Sequence, residues 1–169
     1  MKKILFVCHG NICRSPMAEF VMKNLVKNAG LEGKIQVDSA AANNDEIGNG
    51  MHRGTRAKLS QMGIPFEEHI ARKLTAADGE RYDLILAMDS ENLYYMRRIL
   101  QAEAHEKIHL LLEFAGLSRD IADPWYTGNF DETYDDIDLG CRALLEKLKS
   151  ALDIQWSANY RRTDAAHSA

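Results

Sequence analysis

The 169 residues suffice for one domain with a core of its own, without disulfides or a structural metal. Apolar residues make up 46% and charged residues 27%, and the formal net charge of −4 excludes bulk attraction to nucleic acid or to an anionic membrane. Three cysteines are an odd count without framework spacing, which fits a reducing cytosol rather than a secreted disulfide scaffold.

Lys2-Lys3 ahead of Ile4-Leu5-Phe6-Val7 imitates a signal peptide, but the apolar run is too short and a turn follows Cys8. No segment approaches the ~18 apolar residues needed to cross a bilayer. A soluble, cytoplasmic chain is expected.

Residues 2–7 read as a strand covered on both faces. Pro16 opens a helical pattern in which Met17, Phe20, Val21, Leu25 and Val26 form a stripe that closes near Gly30. Residues 35–39 predict the next strand, 40–54 a polar loop turning at Gly48-Asn49-Gly50, and 55–62 a short helix ending at Gly63. A third strand is predicted over 82–88, a helix over 90–101 and a fourth apolar run over 108–112. After a loop around 120–130, an amphipathic helix is predicted over 131–152, with Ile137, Cys141, Leu144, Leu145 and Leu148 inward. Residues 1–156 are assigned to one domain and 157–169 to a flexible tail.

This alternation predicts an α/β fold: a single three-layer domain with an open four-stranded parallel sheet and helices on both faces. Ligands bind such sheets beyond the carboxyl ends of the strands, where the run Cys8-His9-Gly10-Asn11-Ile12-Cys13-Arg14-Ser15 falls. A Cys-x5-Arg spacing alone is a weak signal; the strand before it, the helix after it, and Gly10 and Asn11 within it strengthen the reading. A loop around an anion turns successive amides inward and needs residues tolerant of unusual φ, a task assigned to Gly10 and Asn11. The helix after it adds the positive end of its dipole and free N–H groups. Arg14 offers a planar fork for two phosphate oxygens. Such surroundings favour the thiolate form of a cysteine at their centre, and Ser15 can donate a hydrogen bond to it.

Cys8 to Pro16 resembles the signature of the low-molecular-weight protein tyrosine phosphatases. The resemblance continues through Asp38-Ser39-Ala40-Ala41, His69-Ile70-Ala71-Arg72, Met88-Asp89-Ser90-Glu91-Asn92-Leu93 and Asp123-Pro124-Trp125-Tyr126, in order over about the first 150 residues. It implies a metal-independent phosphotyrosine phosphatase without cofactor, acting as a monomer on phosphotyrosine proteins. It implies Cys8 as nucleophile, Arg14 as phosphate clamp and Asp123 as general acid and then base. His9, Gly10, Asn11, Ile12, Cys13 and Ser15 complete the phosphate loop, and Trp125 and Tyr126 wall the pocket. His69 joins Asn11 and Ser15 in bracing the loop, and Asp89 has a supporting place at the same edge. Cys13 is placed to trap Cys8 in a reversible disulfide.

Plainer readings stand beside these. Free cysteine usually packs as a small hydrophobe, which is the reading for Cys141 and an equal alternative for Cys13. Asp123-Pro124 by itself opens a turn, and no spacing places it over Cys8. Asp89 reads as a helix cap, and Trp125 and Tyr126 as loop packing. His105-Glu106-Lys107-Ile108-His109 matches a zinc-protease pattern, but it straddles a helix end and an apolar run, so no metal site is assigned.

Rival functions on this scaffold are an arsenate reductase, which needs a cysteine relay, and a protein-arginine phosphatase, against which Ile12 argues. A phosphate sensor or phosphocarrier is a third, disfavoured by Arg14, Ser15 and Asp123. The stretch Asn43-Asn44-Asp45-Glu46 stands where some relatives place an aromatic rim; it is expected either to favour less acidic peptides or to bind ring systems weakly, and it leaves the physiological substrate open.

Overall fold

Four strands, β1 (Lys2–Cys8), β2 (Ile35–Ala41), β3 (Leu84–Ala87) and β4 (Ile108–Leu110), form one parallel sheet in the order β2-β1-β3-β4. The structure is a computed structural model that describes the backbone of residues 1–167 and the side chains of residues 1–153. Side chains alternate across β1. Ile4, Phe6 and Cys8 join the core beneath α1 (Arg14–Asn28) and α6 (Phe130–His167), while Leu5 and Val7 face the core beneath α4 (Ser90–Ile99). Both faces of the sheet are therefore covered, which is why residues 2–7 form an unbroken apolar run. Fully burying each such side chain stabilises the fold by about 1.5–3 kcal/mol.

The order of strands places a switch point beside β1. The chain leaves β1 through α1 toward β2 on one side, and leaves β3 through α4 toward β4 on the other. With α1 and α4 on opposite faces, the ends of β1 and β3 open a crevice. Cys8 and Asp89 stand at these two ends.

Several predicted boundaries move. The first helix starts at Arg14, two residues before Pro16, because the loop closes directly into helical geometry at Cys13. The third strand begins at Leu84, as Tyr82 instead ends the short helix α3 (Asp78–Arg81). Only Ile108–Leu110 pair with β3, and the equally apolar Leu111 and Leu112 enter a 3₁₀ turn. Hydrophobicity alone does not separate these two states over so short a run. The helix α2 (Arg53–Gln61) starts two residues early, and α5 (Pro124–Thr127) is an unpredicted turn of helix. The backbone of α6 continues to His167, past the predicted end at 152. The expectation of a flexible tail over 157–169 concerns residues whose side chains lie outside the described ones.

His105 and His109 do not share a helix face. His105 sits in a 3₁₀ turn with Nε2 on the carbonyls of Arg97 and Leu100, and His109 lies in β4 beside Glu113. Among the described residues, no helix is long and apolar enough to cross a membrane.

Candidate active site

The loop between β1 and α1 is turned inside out relative to an ordinary connection. Its carbonyls accept from outside: Cys8 from the Ala42 amide, His9 from the Asn43 amide, Ile12 from the His52 amide, and Cys13 from the Thr55 hydroxyl. The Asn11 carbonyl accepts from His69 Nε2 at 2.9 Å, which assigns the imidazole proton to that nitrogen. Among the described residues, no protein acceptor takes up the amides of residues 9–14. A ring of inward donors at a helix N-terminus is an anion cradle.

Asn11 alone in the loop has a positive φ, of 59°. The expectation that Gly10 shares this duty is corrected. Gly10 instead gives close approach to Glu46, whose Cγ would stand 3.1 Å from a Cβ there. The strained Asn11 is held by three bonds. Its Nδ2 donates to Ser15 Oγ at 2.8 Å and Ser39 Oγ at 2.9 Å, and its Oδ1 accepts from the Arg72 amide at 3.1 Å. Ser39 in turn donates to Glu19 at 2.6 Å. Because Asn11 donates into the Ser15 oxygen, the Ser15 proton is free to point at Cys8 Sγ, 3.0 Å away.

Arg14 is only 2% exposed, and its two Nη atoms are anchored from behind. One Nη donates to Asp89 at 2.6 Å and to the Ile121 carbonyl at 2.9 Å, and the other reaches Asp123 at 3.3 Å. Burial works against the charged guanidinium, but Cys8, Asp89 and Asp123 outweigh it and raise its pKa. Asp89 also caps α4 by accepting from the Asn92 amide, so the cap and support readings of this residue coexist. Asp123 caps α5 by accepting from the Trp125 amide at 3.1 Å.

Cys8, His9, Gly10, Ile12, Cys13, Arg14, Asp123, Trp125 and Tyr126 line one pocket of about 200 Å³. Asn11 and Ser15 lie behind it, completely buried, with His69 bracing the outer side of the loop. Trp125 and Tyr126 are 57% and 82% exposed. Cys13 is buried and its thiol is pushed up to about 12, by burial first and then by Cys8 and Asp123. Cys141 is core beneath α1, its thiol raised by burial, as its place on the helical stripe predicts.

The family model described as low molecular weight phosphotyrosine protein phosphatase matches residues 3–153. The chain belongs to that family. A low molecular weight protein-tyrosine-phosphatase of Bacillus subtilis, YfkJ, is 42% identical over 151 residues, 88% of this chain and 97% of that one. The crystal structure of YfkJ superposes with a TM-score of 0.86, covering 89% of this chain and 96% of that one. A low molecular weight phosphotyrosine protein phosphatase of Gallus gallus is 38% identical over 152 residues, 87% of this chain and 96% of its own. A protein tyrosine phosphatase structure from Entamoeba histolytica shares 31% identity at a TM-score of 0.84, covering 89% of this chain and 99% of that one.

Sequence reasoning gave no role to several residues that surround this phosphatase-family loop. Ser39 and the Arg72 amide hold Asn11 directly and Glu19 holds Ser39; a glutamate beside the apolar stripe of the helix was the available signal for Glu19. His52 stacks on Phe130 at 5.3 Å and meets Trp125 edge-on at 5.8 Å, setting one wall of the pocket. Asp45 and Glu46 also line the pocket. His9 Nε2 bonds Asp45, while His9 Nδ1 accepts from Asn43 at 3.0 Å.

Proposed function

We propose that this chain is a protein tyrosine phosphatase that hydrolyses phosphotyrosine through a cysteinyl-phosphate. One observation carries the reading: Cys8 lies at the floor of a cradle of free amides, with Arg14 and Asp123 in the same pocket. The amides and Arg14 hold the three non-bridging oxygens where charge develops in the transition state. The Cys8 sulfur attacks phosphorus, the bond to the tyrosyl oxygen breaks, and Asp123 gives that oxygen its proton. Water then attacks the phosphocysteine, Asp123 takes a proton from it, and the sulfur leaves toward the Ser15 hydroxyl. The aromatic pair Trp125 and Tyr126 suits a substrate ring.

The reading is of a monomer acting on phosphoproteins in the cytoplasm, with no cofactor in the scheme. The arsenate-reductase alternative needs a relay thiol, and Cys141 at 0% exposure beneath α1 is poorly placed to serve. Ile12 lines the pocket, and an apolar side chain there suits an aryl ester better than a guanidinium.

The test is steady-state hydrolysis of free phosphotyrosine, phosphoserine and phosphoarginine by the intact chain. Preference for phosphotyrosine with multiple turnover is expected. A single burst without turnover would indicate a carrier, and preference for phosphoarginine would reassign the substrate.

The acidic rim shapes the choice among phosphotyrosine peptides. Asp45, with its side chain 67% exposed, and Glu46 face the substrate's flanking residues. Replacing both by lysine is expected to raise kcat/KM for acidic peptides about two- to fivefold, the scale of an exposed charge pair, with the gain fading at high salt. Equal effects on acidic and neutral peptides would remove this role.

A further inference from the structure

The segment that delivers Asp123 is tied down residue by residue. Arg119 makes a two-pronged pair with Asp136 of α6, at 2.7 and 2.8 Å. Asp120 Oδ1 accepts from both the amide and the hydroxyl of Ser90, at 3.0 and 2.9 Å. The Ile121 amide donates to the Met88 carbonyl at 2.9 Å, and the Ala122 carbonyl accepts from Thr133 of α6 at 2.9 Å. Asp123 follows directly, with one carboxylate oxygen on Trp125 and the other toward Arg14.

Three of the partners are consecutive on the other side. Met88 holds Ile121, Asp89 holds Arg14, and Ser90 holds Asp120. The first turn of α4 therefore carries the phosphate clamp and the proton donor's loop in one rigid frame. The capping box of Asp89 and Asn92 leaves the Ser90 amide over, and Asp120 takes it up, which ties the loop to the first turn of the helix. Both Ser90 and Asp120 are exposed, so their pair adds little to global stability.

We infer that Asp120, through Ser90, is a positioning residue that sets the register of Asp123 against Arg14. The inference rests on the assignment of Asp123 as proton donor. A catalytic group displaced by about 1 Å loses up to 10²-fold in rate, and a proton donor matters most where the leaving oxygen is most basic. Loosening Asp120 should therefore penalise a basic leaving group selectively.

The experiment compares kcat/KM for phenyl phosphate and 4-nitrophenyl phosphate in the wild type, Asp120→Ala and Asp120→Asn, with inhibition by inorganic phosphate measured alongside. Asp120→Ala is expected to lose roughly tenfold on phenyl phosphate and less than about twofold on 4-nitrophenyl phosphate, with phosphate affinity unchanged. Asp120→Asn keeps the acceptor oxygen and should restore the wild-type ratio. The ratio of the two substrates is measured on one preparation, so a smaller folded fraction cancels. Equal losses on both esters, no loss in Asp120→Ala, or an asparagine variant as impaired as alanine would each overturn the inference. A wild type that hydrolyses neither ester would instead overturn the phosphatase reading itself.

Discussion

Cys8→Ser is expected to reduce turnover by at least about 10⁴-fold, the scale on which covalent enzymes lose activity when the nucleophile is removed. A serine hydroxyl occupies the same floor of the pocket and keeps the contact to Ser15, so the cradle should survive. Phosphate binding should therefore remain while chemistry stops, which separates loss of the nucleophile from collapse of the loop. The same variant should cease to react with iodoacetamide near neutral pH. Cys13, pushed up to about 12, remains a thiol there, and Cys141 is both raised and without exposed surface. Since iodoacetamide alkylates the thiolate and not the thiol, the wild type should carry one label, at Cys8, and inorganic phosphate should slow its attachment. Full activity in Cys8→Ser, or a first label on Cys13, would contradict the assignment.

Asp123→Asn is expected to lower kcat/KM on phenyl phosphate by about 10²–10⁴-fold, the range for removal of a positioned acid. Asparagine retains an oxygen for the Trp125 amide, so α5 should keep its start. It cannot supply a proton to the leaving oxygen or take one from water. The loss on 4-nitrophenyl phosphate should be smaller in kcat/KM, because that oxygen leaves without help. A variant equally impaired on both esters would point to a structural role through the Arg14 contact at 3.3 Å. Asp123→Asn should then show a larger leaving-group effect than Asp120→Ala, with both in the same direction.

The chemistry of the loop was legible because it is local. Strand, turn and helix fall within about fifteen residues, and each step has a mark in the chain: an apolar run, a residue tolerant of positive φ, a proline within the first helical turn. Asn11 meets that expectation at φ 59°, while Gly10 shows how a correct residue can be assigned for the wrong cause. Its missing side chain admits Glu46, a residue 36 positions away, which no local pattern encodes. Gly54 is a similar case: a Cβ there would stand 2.2 Å from the Phe130 ring, so it lets α2 meet the start of α6. The boundary errors at Tyr82 and Leu111 have a common origin. Both are buried apolar residues beside true strands, and burial is shared by strand ends and turns alike.

What the amino-acid order settled by itself was the layered α/β plan and the strand–turn–helix course of the loop that carries Cys8 and Arg14, because periodicity and turn chemistry act between near neighbours. What only the folded chain decided was the meeting of Arg14 with Asp89 and Asp123, across 75 and 109 residues, and the tethering of Asp120 to Ser90 across 30. Such partners are chosen by which strand lies beside which and by which face each helix covers. Those choices are made by packing over the whole sheet, so contacts of this range leave no spacing in the chain from which they could be read.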